Sequence, residues 1–477
     1  MRPALSDRGA RQEMRMSAEP ANTGSSQVLR QVSGFVVEYV ARTREFSRNA
    51  NLYVLHVIGM DMIHGSFTVL FNLYLLALGF DVKFVGLRLT IGFVATAVTA
   101  VPAGFVSDRI GRKASFILGD GVGAIIALVM IHTRSEAILL AGPAFVAFFN
   151  NLHHTSEAAF MAENSQPSER VHLFSVAGSF RTMSAMAGAL MAGLLPLMFI
   201  DEFGKVNAYR FATYAGLALW FLSLAPALLL RSFEAVERPE LEGSPESKPE
   251  GWRRLTADIK HPRRIAYFVL TSAIIAVGTA AVVPLLNVVF HEGHMHADEG
   301  EIGVLFAVGE LSLAVVTLLV PLLATRMLKV DAIAATRMMA VPFVLAMGLL
   351  PVAFGEGSIL LVLMGIAHVG RTGAFRMSFP LDDAFNMSVL EPRERATSTG
   401  IEIAVGSAVS AVAIFVSSRI MDTGDFATPF MVMAAAYLVS TMIYWKVFRP
   451  IEVDAEEAEF EDDELDELQV AEGERTD

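Results

Sequence analysis

Ionisable and amide side chains recur at helical spacing inside otherwise apolar sequence. Asp61, His64, Thr68 and Asn72 fall within about 80° of one another at 100° per residue, which makes one polar stripe on a helix. Asn150, His153, His154 and Glu157 share a similar arc, and so do Arg371, Phe375, Phe379, Asp382 and Asn386, with Arg376 and Asp383 beside them. Asn287, Arg181, Glu310 and Glu402 are further polar groups in apolar surroundings. A carboxyl group so placed can change charge by taking a proton, and imidazole titrates near neutrality. Asp61 first, Glu157 second and His64 as a relay are therefore candidates for carrying protons. The competing fate of Asp61 is a permanent ion pair with Arg181 or Arg371. The guanidinium groups of Arg371 and Arg376 offer a fixed fork for a carboxylate or phosphate, against which stands internal pairing with Asp382, Asp383 or Glu157. Phe375 and Phe379 are suited to stack on an amphipathic ligand, although most phenylalanines in such a chain face lipid or fill the core.

The elements that hold these groups are set by composition. Of 477 residues, 53% are hydrophobic and 18% charged, and the mean hydropathy is +0.49, which excludes a cytosolic enzyme. Crossing the hydrocarbon core takes about 20 mostly apolar residues, and roughly twelve such stretches are present. Their polar punctuation includes Asp81-Val82-Lys83, Ser107 to Lys113, Asn164 to Arg170 and Leu390 to Arg395. The chain thus reads as a cytoplasmic N-terminal tail 1–48, six spans within 49–231, a cytoplasmic linker 232–262, six spans within 263–449 and an acidic disordered tail 450–477. With no cysteine there is no disulfide, thiolate metal site or thiol nucleophile. The formal charge of −13 resides in that tail, where fourteen acids from Glu452 to Asp477 face the single base Arg475. The body is neutral, which gives no support to nucleic-acid binding.

Bases gather in the even connections and near both ends, among them Arg109, Arg112, Lys113, Arg170, Arg231, Arg326, Lys329 and Arg395, whereas the odd connections carry few, such as Lys83, Arg134 and Lys205. That bias places both termini in the cytoplasm, and a plasma (inner) membrane is the expected location. No signal peptide is present in the first 48 residues, and Gln27 to Phe46 reads as a basic amphipathic helix on the inner leaflet. Duplication is suggested by Pro167-Ser168-Glu169-Arg170 after the fourth stretch, which recurs as Pro392-Arg393-Glu394-Arg395 after the tenth.

Between the second and third stretches stands Gly104-Phe105-Val106-Ser107-Asp108-Arg109-Ile110-Gly111-Arg112-Lys113. Both glycines, the Asp and the three bases match the G-x-x-x-D-R-x-G-R-[KR] signature, in the connection where the major facilitator superfamily carries it, so the chain resembles that family from about Asn51 to Arg449. The resemblance implies an all-α membrane protein with twelve transmembrane helices in two pseudo-symmetric six-helix bundles. It implies a central cavity lined by the first, fourth, seventh and tenth helices, where Asn72, Asn150, His153, His154, Asn287, Arg371, Phe375, Arg376, Phe379, Asp382 and Asn386 fall, with Arg181 reaching in from behind. It also implies a cytoplasmic gate at Gly104, Asp108, Arg109, Gly111, Arg112 and Lys113, with Glu163, Glu169 and Arg170 as neighbours. On physical grounds Gly104 allows two helices to approach and Gly111 allows a tight turn. Drug:proton antiporters of the family usually carry an arginine in the fourth helix and G-x-x-x-G-P-x-x-G-G in the fifth. This chain has neither, so a drug-efflux label does not follow.

The expected activity is secondary transport of a small organic solute by alternating access, coupled to protons, with export slightly favoured over proton-linked uptake of an organic anion or nutrient. A membrane receptor that binds without translocating is the rival of another class. No G-x-x-x-x-G-K-[ST] run supplies a nucleotide site, and no cofactor is expected. The loop His291 to Glu299 holds three imidazoles and three carboxylates without the spacing of a metal site. The expected partners are the bilayer, a small molecule and protons, with the protein monomeric.

Overall fold

The computed structural model describes residues 46–231 and 259–473, apart from 318–319, 321–322 and 324–325. The amphipathic segment expected at 27–46, all but its last residue, and most of the linker lie outside the described residues. Twelve long helical segments are described, in two sets of six. The first set is α1 (Arg48–Ala77), α2 (Val82–Ile110), α3 (Arg112–His132), α4 (Glu136–Glu163), α5 (Pro167–Leu197) and α6 (Lys205–Leu228). The second is α7 (Pro262–Glu292), α8 (Glu299–Thr317), α9 (Lys329–Phe354), α10 (Ser358–Val389), α11 (Pro392–Asp422) and α12 (Ala427–Gly473). Ten are long and apolar enough to cross a membrane; α4 and α8 are the other two.

Local chemistry sets the ends. Ser47 caps α1 by accepting from the Ala50 N–H at 3.2 Å, and Asp81 caps α2 by accepting from Phe84 at 2.8 Å. Gly111, at φ +84°, takes the left-handed turn between α2 and α3 that a side chain would strain. Two of the inward helices are broken. In α7 a single 3₁₀ turn at Val283–Leu285 contains Pro284, and α10 pauses between Arg376 and Ser378, where Pro380 has no N–H to give the Arg376 carbonyl.

The repeated tetrapeptides open α5 and α11, each of 31 residues, and each opening is a capping box with proline in its first turn. Arg170 donates back to the Ala162 carbonyl at 3.1 Å, and Arg395 donates back to the Leu390 carbonyl at 2.9 Å. The duplication suspected from four letters is thus a shared local structure. Glu394 does more than its counterpart Glu169. It is buried and accepts from the Lys260 N–H at 2.6 Å and the His261 N–H at 2.7 Å, which pins the start of α7 to that of α11. Burial alone would raise its pKa, but hydrogen bonds from the His261 side chain and from the backbone of His261, Glu391 and Lys260 outweigh it and hold the carboxyl at about 2.

With its folded value below the ordinary 4.5, Glu394 contributes fully above 4.5 and loses that contribution as the pH falls through about 2. Glu394→Ala should cost about 1–2 kcal/mol at neutral pH. The gap between variant and parent melting temperatures in detergent should narrow as the pH drops from 4.5. Equal melting at pH 7 would remove this capping role.

Both chain entries, the α2–α3 turn and the starts of α5, α7 and α11 lie at one end of the molecule, the terminal end. The opposite, distal end is where the two halves meet. Lys83 pairs with Asp422 at 2.5 Å, and Thr90 reaches the Ala411 carbonyl at 3.4 Å, so α2 lies on α11. Asn72 donates to the Pro284 carbonyl at 2.8 Å, and Asn287 donates to the Val69 carbonyl at 2.8 Å, which fixes α1 to the break in α7. Lys205 pairs with Glu299 at 3.1 Å, Tyr209 also donates to Glu299, and Gly193 of α5 faces Gly303 of α8 backbone to backbone. Towards the terminal end a Cβ placed on Gly104 of α2 or Gly400 of α11 would meet nothing within 4 Å. Among the described residues no hydrogen bond or ion pair joins the halves there.

The acidic segment, expected to be disordered, continues α12 as helix to Gly473, in keeping with the strong helix propensity of its Ala, Glu and Leu residues.

Candidate functional site: an ion-paired cluster between the halves

At mid-depth the first half carries a three-helix charge cluster. Arg181 of α5 places Nε 3.3 Å from Asp61 Oδ2 of α1, and its Nη2 donates to Glu157 of α4. His154 Nδ1 stands 3.6 Å from the other Glu157 oxygen. Two acids therefore share one permanent cation. Glu157 is held by a direct hydrogen bond, whereas the Asp61 contact is not aligned as one: both Asp61 Oδ2 and Arg181 Nε are buried without a hydrogen-bond partner. Asp61 is the less tightly held acid of the pair. His64, three residues along α1, is within electrostatic reach of His154, Arg181 and Glu310 of the opposite half, so its ring lies where the halves face each other. Asp61 and His64, from one sequence arc, and Glu157 and His154, from another, lie near one another in the structure, and Arg181 joins them from α5.

Other expected cavity residues are placed differently. His153 is fully buried within the first bundle, where Asp120 Oδ2 of α3 lies 2.8 Å from both His153 Nδ1 and His56 Nε2. Tyr53 contacts the far nitrogen of His153 at 3.3 Å, and His56 Nδ1 donates to the Ser223 carbonyl at 2.7 Å. A helix of 3.6 residues per turn puts neighbours 153 and 154 about 100° apart, so only His154 faces the other half. His56 and Asp120 carry no signal in the sequence, because nothing there ties α1 to α3. Among the described residues, this trio is where imidazole and carboxylate ligand atoms converge, whereas in the loop at 291–296 His291 contacts Lys205 at 3.2 Å and His296 contacts Glu356 at 3.8 Å.

Asn72 and Asn287 belong to the distal seal and do not line a cavity; both are buried. In the second half, Arg376 is paired with Glu310 at 2.9 Å, and Asp382 is turned into its own bundle, 2.8 Å from Arg337 and 2.6 Å from the Tyr444 hydroxyl. The break before Pro380 is why the arc drawn from Arg371 does not carry through to Asp382. Asn386 keeps a buried oxygen without a partner. Arg371 is buried, reaches no carboxylate among the described residues and leaves Nε unpartnered. Phe375 stacks on Tyr437 at 4.3 Å and Phe379 is exposed, edge-on to Phe375.

In the α2–α3 loop Arg112 bonds Asp108 at 3.0 Å and approaches Glu163 at 3.6 Å. Glu169 and Arg170 cap their own helix region and do not join the loop. Asp108 and Arg109 are exposed, and the open space at Gly104 means that no second helix approaches it in this conformation.

Two six-helix sets joined at one end, parted at the other, and lined by charge at mid-depth define a membrane-transporter fold. The sequence profile of the Major Facilitator Superfamily matches residues 52–378, and the chain belongs to that superfamily. Its fold is similar to that of the nucleoside transporter NupG, with TM-score 0.65 and 14% identity over 84% of this chain and 99% of that one. A proton-dependent oligopeptide transporter superposes with TM-score 0.64 and 12% identity, covering 84% and 98% of the two chains. A bacterial homolog of the human lysosomal transporter Spinster, in an inward-facing and unoccupied conformation, gives TM-score 0.59 and 13% identity over 86% and 97%. No curated protein matches the sequence.

Proposed function

We propose that this protein moves a small organic solute across the membrane by alternating access, coupled to protons at the Asp61–Arg181–Glu157 cluster. The observation that carries the reading is the surplus acid: two carboxylates from α1 and α4 around one arginine, at mid-depth between halves that meet at one end only. With one cation for two acids, a proton on the second acid removes an uncompensated charge from a region of low dielectric. With both termini cytoplasmic and the protein in a plasma membrane, the conformation described is closed outward and open inward. The protein works as a monomer, each half rocking as a body. Export is slightly favoured; proton-linked uptake of an organic anion is the second reading, favoured by the unpaired Arg371. Solute flux into or out of proteoliposomes under an imposed pH gradient of either sign tests both. Saturable binding without flux would replace transport by a receptor role.

The exposed Asp108–Arg112 loop has the open space at Gly104 beside it, room for the helix of the other half to close on the cytoplasmic side. Asp108→Ala should loosen that gate and change maleimide labelling of cysteines placed near Gly400 by about 5-fold or more. Identical labelling with and without the substitution would dismiss the gating role.

A further inference from the structure

A cavity of about 260 Å³ opens among α1, α2, α3 and α4, with Trp220 of α6 at its side; of its polar lining, Thr96 donates to the Gly92 carbonyl at 3.0 Å, and the other polar side chains have no such partner among the described residues. Arg88 Nε and Trp220 Nε1 are both buried and make no hydrogen bond. The side chains of His64 and Asn150 line the same space and likewise have no hydrogen bond or ion pair among the described residues. Not one carboxylate is in the lining. Arg181, Arg337 and Arg376 each reach an acid, at 3.3, 2.8 and 2.9 Å. Arg88 has only the face of Phe71, 4.2 Å from its guanidinium carbon to the ring centroid. A guanidinium in apolar surroundings with no counter-charge is costly, and the cost is relieved when a ligand brings the anion. Phe67, Phe93 and Met130 make the remaining walls apolar.

We propose that this cavity binds the carboxylate or phosphate group of an amphipathic organic anion, with Arg88 as the charge partner, Trp220 and Asn150 as neutral donors and the aromatic walls against the ligand body. This rests on the transporter reading and specifies the class of its solute. A guanidinium fork matches a planar carboxylate or the oxygens of a phosphate in two parallel hydrogen bonds, which an ammonium does not.

The test is binding to the purified full chain in detergent, by calorimetry and thermal shift, with 2-naphthoate, naphthyl phosphate and the neutral 2-naphthamide as probes. The anions should bind and raise the melting temperature, while the amide should do neither. Arg88→Gln should weaken anion binding by about 30-fold or more, and Arg88→Lys should recover part of it. Asn150→Asp gives Arg88 an internal acid and should abolish anion binding in a protein that still folds, so a poorly folded Arg88 variant does not shield the proposal. Equal binding of acid and amide, or full anion affinity in Asn150→Asp, would overturn it. In nanodiscs, displacement of naphthoate by phosphatidylglycerol would assign the same site to a lipid anion, and no displacement assigns it to a soluble one. Anion binding without flux would sink the transporter reading and leave the site standing. Flux of other solutes with no anion binding would do the reverse.

Discussion

Asp61→Asn should abolish accumulation of solute driven by a pH gradient while leaving exchange of solute for solute measurable. A one-unit pH step supplies about 1.4 kcal/mol per proton, enough for about a tenfold concentration ratio. In the variant that ratio should fall to unity, because asparagine keeps the volume and the dipole of the side chain but cannot take up or release the proton. Exchange at equal pH needs only the reorientation of the halves, and Arg181 then has Glu157 as its sole acid, a balanced pair that does not block movement. The choice of Asp61 over Glu157 rests on geometry. Glu157 has the aligned bond from Arg181 and His154 behind it, whereas Asp61 touches Arg181 without alignment. Glu157→Gln is therefore the matched comparison. Should it remove accumulation while Asp61→Asn does not, the coupling acid is Glu157. Should neither alter the pH dependence, protons are not coupled at this cluster.

How much of this was readable beforehand follows from the kind of signal each feature leaves. Span length is written in hydropathy, so ten of the twelve expected stretches are helices long and apolar enough to cross a membrane, while α4 and α8 are helices that fall outside that group; the left-handed turn at Gly111 follows from the loop in which it sits. The tetrapeptides at Pro167 and Pro392 are visible locally as a repeat, but their role as capping boxes closed by Glu169 and Glu394 comes from the structure, since the caps are Gln166 and Glu391 rather than Ser or Thr. A helical arc gives relative direction only: it sets Asp61 beside His64 along α1, it does not tell that His153 of α4 turns to Asp120, and it does not carry across the break before Pro380, beyond which Asp382 meets Arg337. Long-range partnerships left no local trace. His153 reads the same whether it faces a cavity or Asp120, and Asn72 reads the same whether it wets a cavity or seals one end against Pro284. Arg88 leaves no sequence signal for a related reason: close to the start of α2 it resembles any base near a membrane boundary, and only the lack of an acid around it marks it out.

That the halves are sealed at the distal end in this conformation makes a second strong expectation possible, because the α5–α8 part of the seal brings two glycines backbone to backbone. A Cβ at Gly303 would stand 2.7 Å from the Gly193 Cα and 2.8 Å from the Ala189 carbonyl oxygen, both backbone atoms with no room to turn aside. Gly303→Val should therefore destabilise the distally closed state by about 1–3 kcal/mol. If α5 and α8 separate there in the other half of the cycle, the same valine meets no obstacle in the distally open state, so the equilibrium shifts by roughly 5- to 150-fold. The chain has no cysteine, so one introduced at Ser418, fully buried on the separate α2–α11 seam against Gly86, reports opening without background. Its labelling by an impermeant maleimide added from the distal side should rise by that factor in the valine variant, and net flux should fall as the closed state becomes scarce. Gly303→Ala, with one carbon fewer on each branch, should give a smaller shift in the same direction, which separates a moved equilibrium from a protein that has merely unfolded. Both seams must respond together because each half is a packed body that moves as one. If valine at 303 leaves labelling at 418 and flux unchanged, the distal end does not open during transport, and alternating access between these halves is wrong.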